Sequence, residues 1–249
     1  MEFKFNKSKA IKHIEALRDK ESNNVFVPSL GSNATKSINQ MRTTFIKNGY
    51  KDLIEAYFPE ELSAYDVVNL TKTIEAKVKA LCIDNLYDLE IIFHLIHLWG
   101  GNAGRGLYQI KRGGFKNNIK DINIYKKLIR SVISFKELDD LIKEIDEFER
   151  NTNQIGVAFI TKHTRYFSAL NKTYQCIPIY DSVMSKNYML KHNKKLNQYV
   201  PINDPTTTKI PGGRKELAFY WNAMIELSLE YKISLKDLER ILFVNARGN

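Results

Sequence analysis

The chain has 249 residues, 43% of them hydrophobic, which is enough for one large core or for two smaller lobes sharing a cleft. Lys and Arg number 38 against 28 Asp and Glu, a net charge of +10, so a polyanionic partner is favoured and nucleic acid comes first. Two cysteines exclude a disulfide framework and a four-thiolate iron–sulfur cluster, the first 12 residues lack the apolar core of a signal peptide, and no apolar run is long enough to span a membrane. The expectation is a cytoplasmic, monomeric protein.

Helical periodicity dominates in chain order. Ser8 to Lys20 places Ile11, Ile14 and Leu17 on one stripe, and Asn33 to Asn48 repeats the pattern with Ile38, Met41 and Phe45 before a stop at Gly49. Tyr65 to Leu81 follows with Val67, Val68, Ile74 and Val78. Tyr87 to Trp99 is apolar nearly all round and predicts a buried central helix. Its His94 and His97, at i and i+3, have no third ligand nearby and read as buried, hydrogen-bonded histidines rather than a metal site. Ile122 to Ile133 and Phe135 to Phe148 predict a helical hairpin broken near Ser134. Helices over Ala158 to Leu170 and Ser182 to His192 flank a turn, and Lys215 to Tyr231 and Leu235 to Val244 close the chain, the last capped by Ser234. Gly100 to Asn118 and Asn193 to Arg214 predict irregular segments. Strand signals are confined to Asn24 to Val27 and Leu107 to Ile110. The expected fold class is all-α, a single compact domain over 1–249, or one with a cleft between helical lobes.

The chemistry concentrates in Gly156-Val157-Ala158-Phe159-Ile160-Thr161-Lys162-His163-Thr164-Arg165, followed by Ile177-Pro178-Ile179-Tyr180-Asp181-Ser182. A Thr-Lys pair opens a helix, and a short loop joins it to an Asp that opens the next helix. Each residue also has a plainer reading: Asp181 is a good N-cap, and Lys162 on a basic helix could touch a phosphate.

Taken together, this stretch resembles the helix-hairpin-helix DNA glycosylases, in particular the 8-oxoguanine glycosylase-like branch, over roughly residues 90–190. The resemblance implies that Lys162 is the nucleophile, that Asp181 is its electrostatic and base partner, and that no metal or organic cofactor is needed. It places the degenerate hairpin region at about 135–192. The family hairpin usually reads Leu-Pro-Gly-Val-Gly before the Lys; here Val157-Ala158-Phe159-Ile160 stands in that register, with Gly156 the nearby glycine. The implied reaction flips a modified nucleotide out of the duplex and breaks its N-glycosidic bond, leaving an abasic site, with strand cleavage as a further step.

Around that pair, Trp99, Asn102 and Arg105 in the glycine-rich loop and Trp221 on a late helix are candidates for substrate binding. Lys111, Arg112, Lys116, Gly156, His163 and Arg165 are candidates for DNA contact. The expected partner is double-stranded DNA carrying a modified base. Two targets fit the resemblance: a glucosylated hydroxymethylcytosine in phage DNA, as antiviral defence, and 8-oxoguanine, as repair. A non-catalytic DNA-binding protein is the alternative from another class. An RNA-binding helical module has less in its favour, because no aromatic stacking platform is evident.

Overall fold

In a computed structural model the described residues are 2–18, 42–57, 64–100, 114–153, 155–202 and 214–246. They are mostly helical, with one small sheet. The elements are β1 (Phe3–Phe5), α1 (Lys7–Arg18), α2 (Lys51–Tyr57), α3 (Ala64–Lys79), α4 (Leu86–Gly100), α5 (Gly114–Asn118), α6 (Ile122–Ser134), α7 (Leu138–Arg150), α8 (Val157–Phe167), α9 (Ser182–Tyr188), β2 (Met189–Asn193), β3 (Gln198–Pro201), α10 (Arg214–Tyr231) and α11 (Leu235–Ala246). Among the described residues no helix is long and apolar enough to cross a membrane.

The chain divides into two compact units. One comprises residues 27–130 and 147–155. Its α4 is buried from Ile91 to Leu98, which accounts for the absence of a polar face in the sequence. His94 is fully buried with both ring nitrogens engaged: Nδ1 lies 2.8 Å from the Glu90 carbonyl, and Nε2 accepts the Phe115 N–H at 3.1 Å. That assignment makes Nδ1 the protonated nitrogen of a neutral ring. Burial pushes the His94 pKa down to about 4. Gly114 packs so close to His94 and Tyr50 that a side chain there would collide with both, and its φ of +61° suits only glycine without strain.

The other unit comprises residues 1–26, 131–146 and 156–249. Here α11 packs against α1, α9 and α10, and α10 packs against β1. The sheet order is β1-β2-β3, all antiparallel, with Phe3 opposite Lys191 and Lys191 opposite Val200. Phe3, Phe5 and Met189 are buried, so strand alternation puts one face of the sheet on the core. α6 and α7 contribute residues to both units.

The helical hairpin breaks at Phe135 to Glu137, next to the predicted position, and Ser234 caps α11 by accepting the Asp237 N–H at 3.1 Å. Two expectations fail. Gly114–Asn118, inside a segment predicted to be irregular, forms the helix α5. The helix predicted over Ser182 to His192 ends at Tyr188, and the segment predicted to be irregular from Asn193 holds the turn and second strand of a hairpin. Pairing with β1, more than 180 residues earlier in the chain, converts Met189 to Asn193 into a strand, and no local pattern announces it. The predicted strands at 24–27 and 107–110, and most of the helix predicted over 33–48, lie outside the described residues.

Candidate active site

The site is built on an extended segment, Ile177 to Asp181, whose backbone is held by side chains rather than by a neighbouring strand. The Ile177 N–H donates to Ser168 Oγ at 2.8 Å, and Pro178 has no N–H to satisfy. The Ile179 N–H donates to Glu239 Oε1 at 2.7 Å, and the Tyr180 N–H donates to Thr161 Oγ1 at 3.1 Å. On the acceptor side, Trp221 Nε1 donates to the Pro178 carbonyl at 2.8 Å and Tyr220 Oη to the Ile179 carbonyl at 3.0 Å. Buried backbone groups must find partners, and here α8, α10, α11 and the turn after α8 supply them.

The consequence is a fixed position for Asp181. It caps α9, with Oδ1 accepting from the Val183 N–H at 2.9 Å and the Met184 N–H at 3.0 Å. No described residue donates to Oδ2. The cap reading is therefore correct, and it leaves one carboxylate oxygen uncommitted.

Thr161-Lys162 does not open a helix as expected: α8 begins at Val157, so Lys162 lies in its second turn, next to the Thr161 that anchors Tyr180. Its ammonium sits 4.6 Å from the centroid of the Phe159 ring and 3.4 Å from the Ala158 carbonyl oxygen. No described carboxylate forms an ion pair with it. Burial pushes the Lys162 amine below the ordinary lysine range, against the pull of the Asp181 and Glu239 carboxylates. An amine with a lowered proton affinity that feels the charge of an oriented carboxylate is an arrangement able to perform nucleophilic chemistry on an electron-poor carbon.

Below this pair lies a buried ion pair. Arg165 Nε meets Glu239 Oε2 at 3.2 Å, with both side chains about a tenth exposed or less. Burial raises the Glu239 carboxyl pKa, an effect partly offset by Arg165 and by the Ile179 N–H. Glu239 is the residue of this site that sequence reading passed over. Its signal was present: it shares the α11 stripe with Leu235, Leu238 and Leu242, where an acid has no place unless it is paired.

The remaining candidates divide. Trp221 is completely buried with its indole N–H on Pro178, so it positions the loop and is not a wall for substrate. Arg165 and His163 are buried too, contrary to the expectation of a phosphate-facing surface. Arg165 is committed to Glu239, and burial followed by the Lys162 charge pushes the His163 pKa down to about 3. The cause is that α8 is enclosed nearly all round, which its basic residues concealed. Gly156 is the N-cap of α8 with an ordinary φ of −83°, and a side chain there would meet nothing within 4 Å. Lys116 is exposed on α5, and Trp99 donates to Thr71 Oγ1 at 3.0 Å, both in the other unit. Asn102, Arg105, Lys111 and Arg112 lie outside the described residues. An open groove lined by Phe3, Tyr199, Lys215, Phe219 and Asn222, among others, includes neither Lys162 nor Asp181.

Comparison with known protein families, with curated proteins and with solved structures finds no match.

Proposed function

We propose that the chain is a DNA glycosylase of the helix-hairpin-helix type, with Lys162 as nucleophile and Asp181 as its electrostatic partner. The observation that carries this reading is the double tie between Thr161 and Tyr180, whose N–H donates to Thr161 Oγ1 at 3.1 Å while the same hydroxyl lies 3.4 Å from its carbonyl. It holds the segment that ends in a half-free carboxylate against the helix that carries a desolvated lysine. Further support is the order helix, turn, helix over α7 and α8, which a helical hairpin needs, and the absence of a side-chain cap at the N-terminus of α8, which suits an anion.

The chemistry follows from the residue types. As the bond from C1′ to the base nitrogen lengthens, positive charge grows on the sugar, and the Asp181 carboxylate stabilises it. The electron pair of that bond leaves with the base, which takes up a proton. Neutral Lys162 Nζ forms a bond to C1′ and gives up a proton. Cleavage of the C1′–O4′ bond, with protonation of O4′, then yields an iminium linking protein and sugar. Burial of Lys162 raises the fraction of neutral amine available for attack.

The test is base release from duplexes containing 8-oxoguanine opposite cytosine, and from phage DNA carrying glucosylated hydroxymethylcytosine, read by mass spectrometry. The wild-type chain is expected to release one of these bases and no unmodified base, and Lys162→Gln to release neither. Release undiminished in Lys162→Gln would remove the assignment.

A further inference from the structure

The β2–β3 hairpin leaves the candidate site directly. α9, capped by Asp181, passes into β2 at Met189, whose N–H still donates to the Ser185 carbonyl. The hairpin is stiff. β1 pairs along the outer edge of β2, His192 and Tyr199 face each other across the strands at 5.2 Å, Lys4 lies 5.8 Å from the centre of the Tyr199 ring, and Tyr199 Oη reaches Glu2.

Its tip is locally fixed as well. Asn193 Oδ1 accepts the N–H groups of Lys195 at 3.0 Å and Leu196 at 3.3 Å, and Asn197 closes the loop with a φ of +47°, a conformation asparagine tolerates. This turn projects Leu196 into solvent, 58% exposed, behind the exposed Lys194 and Lys195. One exposed leucine is ordinary. A leucine at the apex of a stiffened turn is different when the stretch from Ser182 to Asn203 holds Lys186, Lys191, Lys194 and Lys195 and no Asp or Glu. Its charge is complementary to a phosphate backbone, and its apex has the size of the apolar wedges that proteins drive between base steps.

We propose that this hairpin is a second DNA-contacting element, with Lys194 and Lys195 on backbone phosphates and Leu196 inserted between stacked base pairs. The choice of duplex DNA over another polyanion rests on the Lys162–Asp181 reading. Insertion into the same duplex would loosen the stack from which a nucleotide has to be extruded.

The experiment uses the full chain and an unmodified duplex containing 2-aminopurine, with anisotropy reporting affinity at several salt concentrations and fluorescence reporting unstacking. Wild type is expected to bind and to brighten the probe. Lys194→Ala with Lys195→Ala should lower the slope of log affinity against log salt by about 2. Leu196→Ala should bind within about tenfold of wild type and lose the brightening. All three positions are exposed, so the fold is retained. Hairpin variants with wild-type affinity, slope and brightening, in a chain that still releases base, overturn the hairpin assignment alone. Hairpin effects in a chain that releases no base uphold it and remove the glycosylase reading. Absence of DNA binding, or Leu196-dependent binding to phosphatidylserine vesicles in its place, overturns the hairpin assignment.

Discussion

In the proposed reaction Asp181 would do two jobs with two oxygens, and the jobs can be separated. Oδ1 holds the first turn of α9 through the Val183 and Met184 amides, and an asparagine side-chain oxygen can do the same. Charge next to a developing sugar cation is what asparagine cannot supply. Asp181→Asn should therefore leave the melting temperature within a few degrees of wild type and lower the rate of base release by about 100-fold or more. Equal rates for the two proteins would make Asp181 a cap and nothing else. Lys162 gives a second handle at this scale. Its amine is below the ordinary lysine range, so single-turnover base release should rise with pH along a limb lying below 10.5.

Among the elements, α11 has the least evident role in sequence and a large one in structure. Glu239 reaches from it to Arg165 on α8 and to the Ile179 amide, joining the helix of the lysine to the strand-like segment of the aspartate. Breaking a buried ion pair leaves its partner uncompensated, so Glu239→Gln should cost about 3 kcal/mol, measured by denaturant unfolding. Adding Arg165→Met should recover a large part of that loss, since the stranded charge is then gone as well. A double variant no better than the single one would show that the loss does not come from the stranded Arg165 charge.

The same elements show what a sequence can and cannot announce. The apolar stripes of α4, α6, α7 and α11 specify helices because 3.6-residue periodicity is local. Thr161-Lys162 and the Pro-Ile-Tyr-Asp turn stood out through their resemblance to a family motif, not through periodicity. β2 was not legible, because its partner β1 lies at the other end of the chain. Arg165 and His163 misled because charge reads as surface until a buried partner is known. Trp221 misled because an aromatic near a site serves equally well as a wall or as a clamp, and only its bond to Pro178 decides.

At the scale of the whole molecule, two of the buried histidines contribute to the response to acid. His94 is held neutral with a pKa of about 4 and His163 with one of about 3, against an ordinary value of 6.5. Below pH 6.5 the unfolded chain takes up protons that the folded chain refuses. Stability therefore falls with falling pH, from 6.5 down through the folded-state values. His94 alone accounts for roughly 3 kcal/mol by pH 4. Urea unfolding of His94→Gln should show a pH dependence between 6.5 and 4 that is shallower by about one proton. An unchanged slope would place His94 in water.

The net charge of +10 suits a polyanion, and the central claim is that Lys162 acts covalently on one. Borohydride trapping tests that claim most directly. Incubation with a substrate duplex and sodium borohydride should reduce the iminium to a stable protein–DNA conjugate, and peptide mapping should locate the modification at Lys162. Lys162→Gln should form no conjugate while binding the same duplex with nearly unchanged affinity. A conjugate formed at full yield by Lys162→Gln, or mapped to another amine in the wild-type chain, would contradict the account.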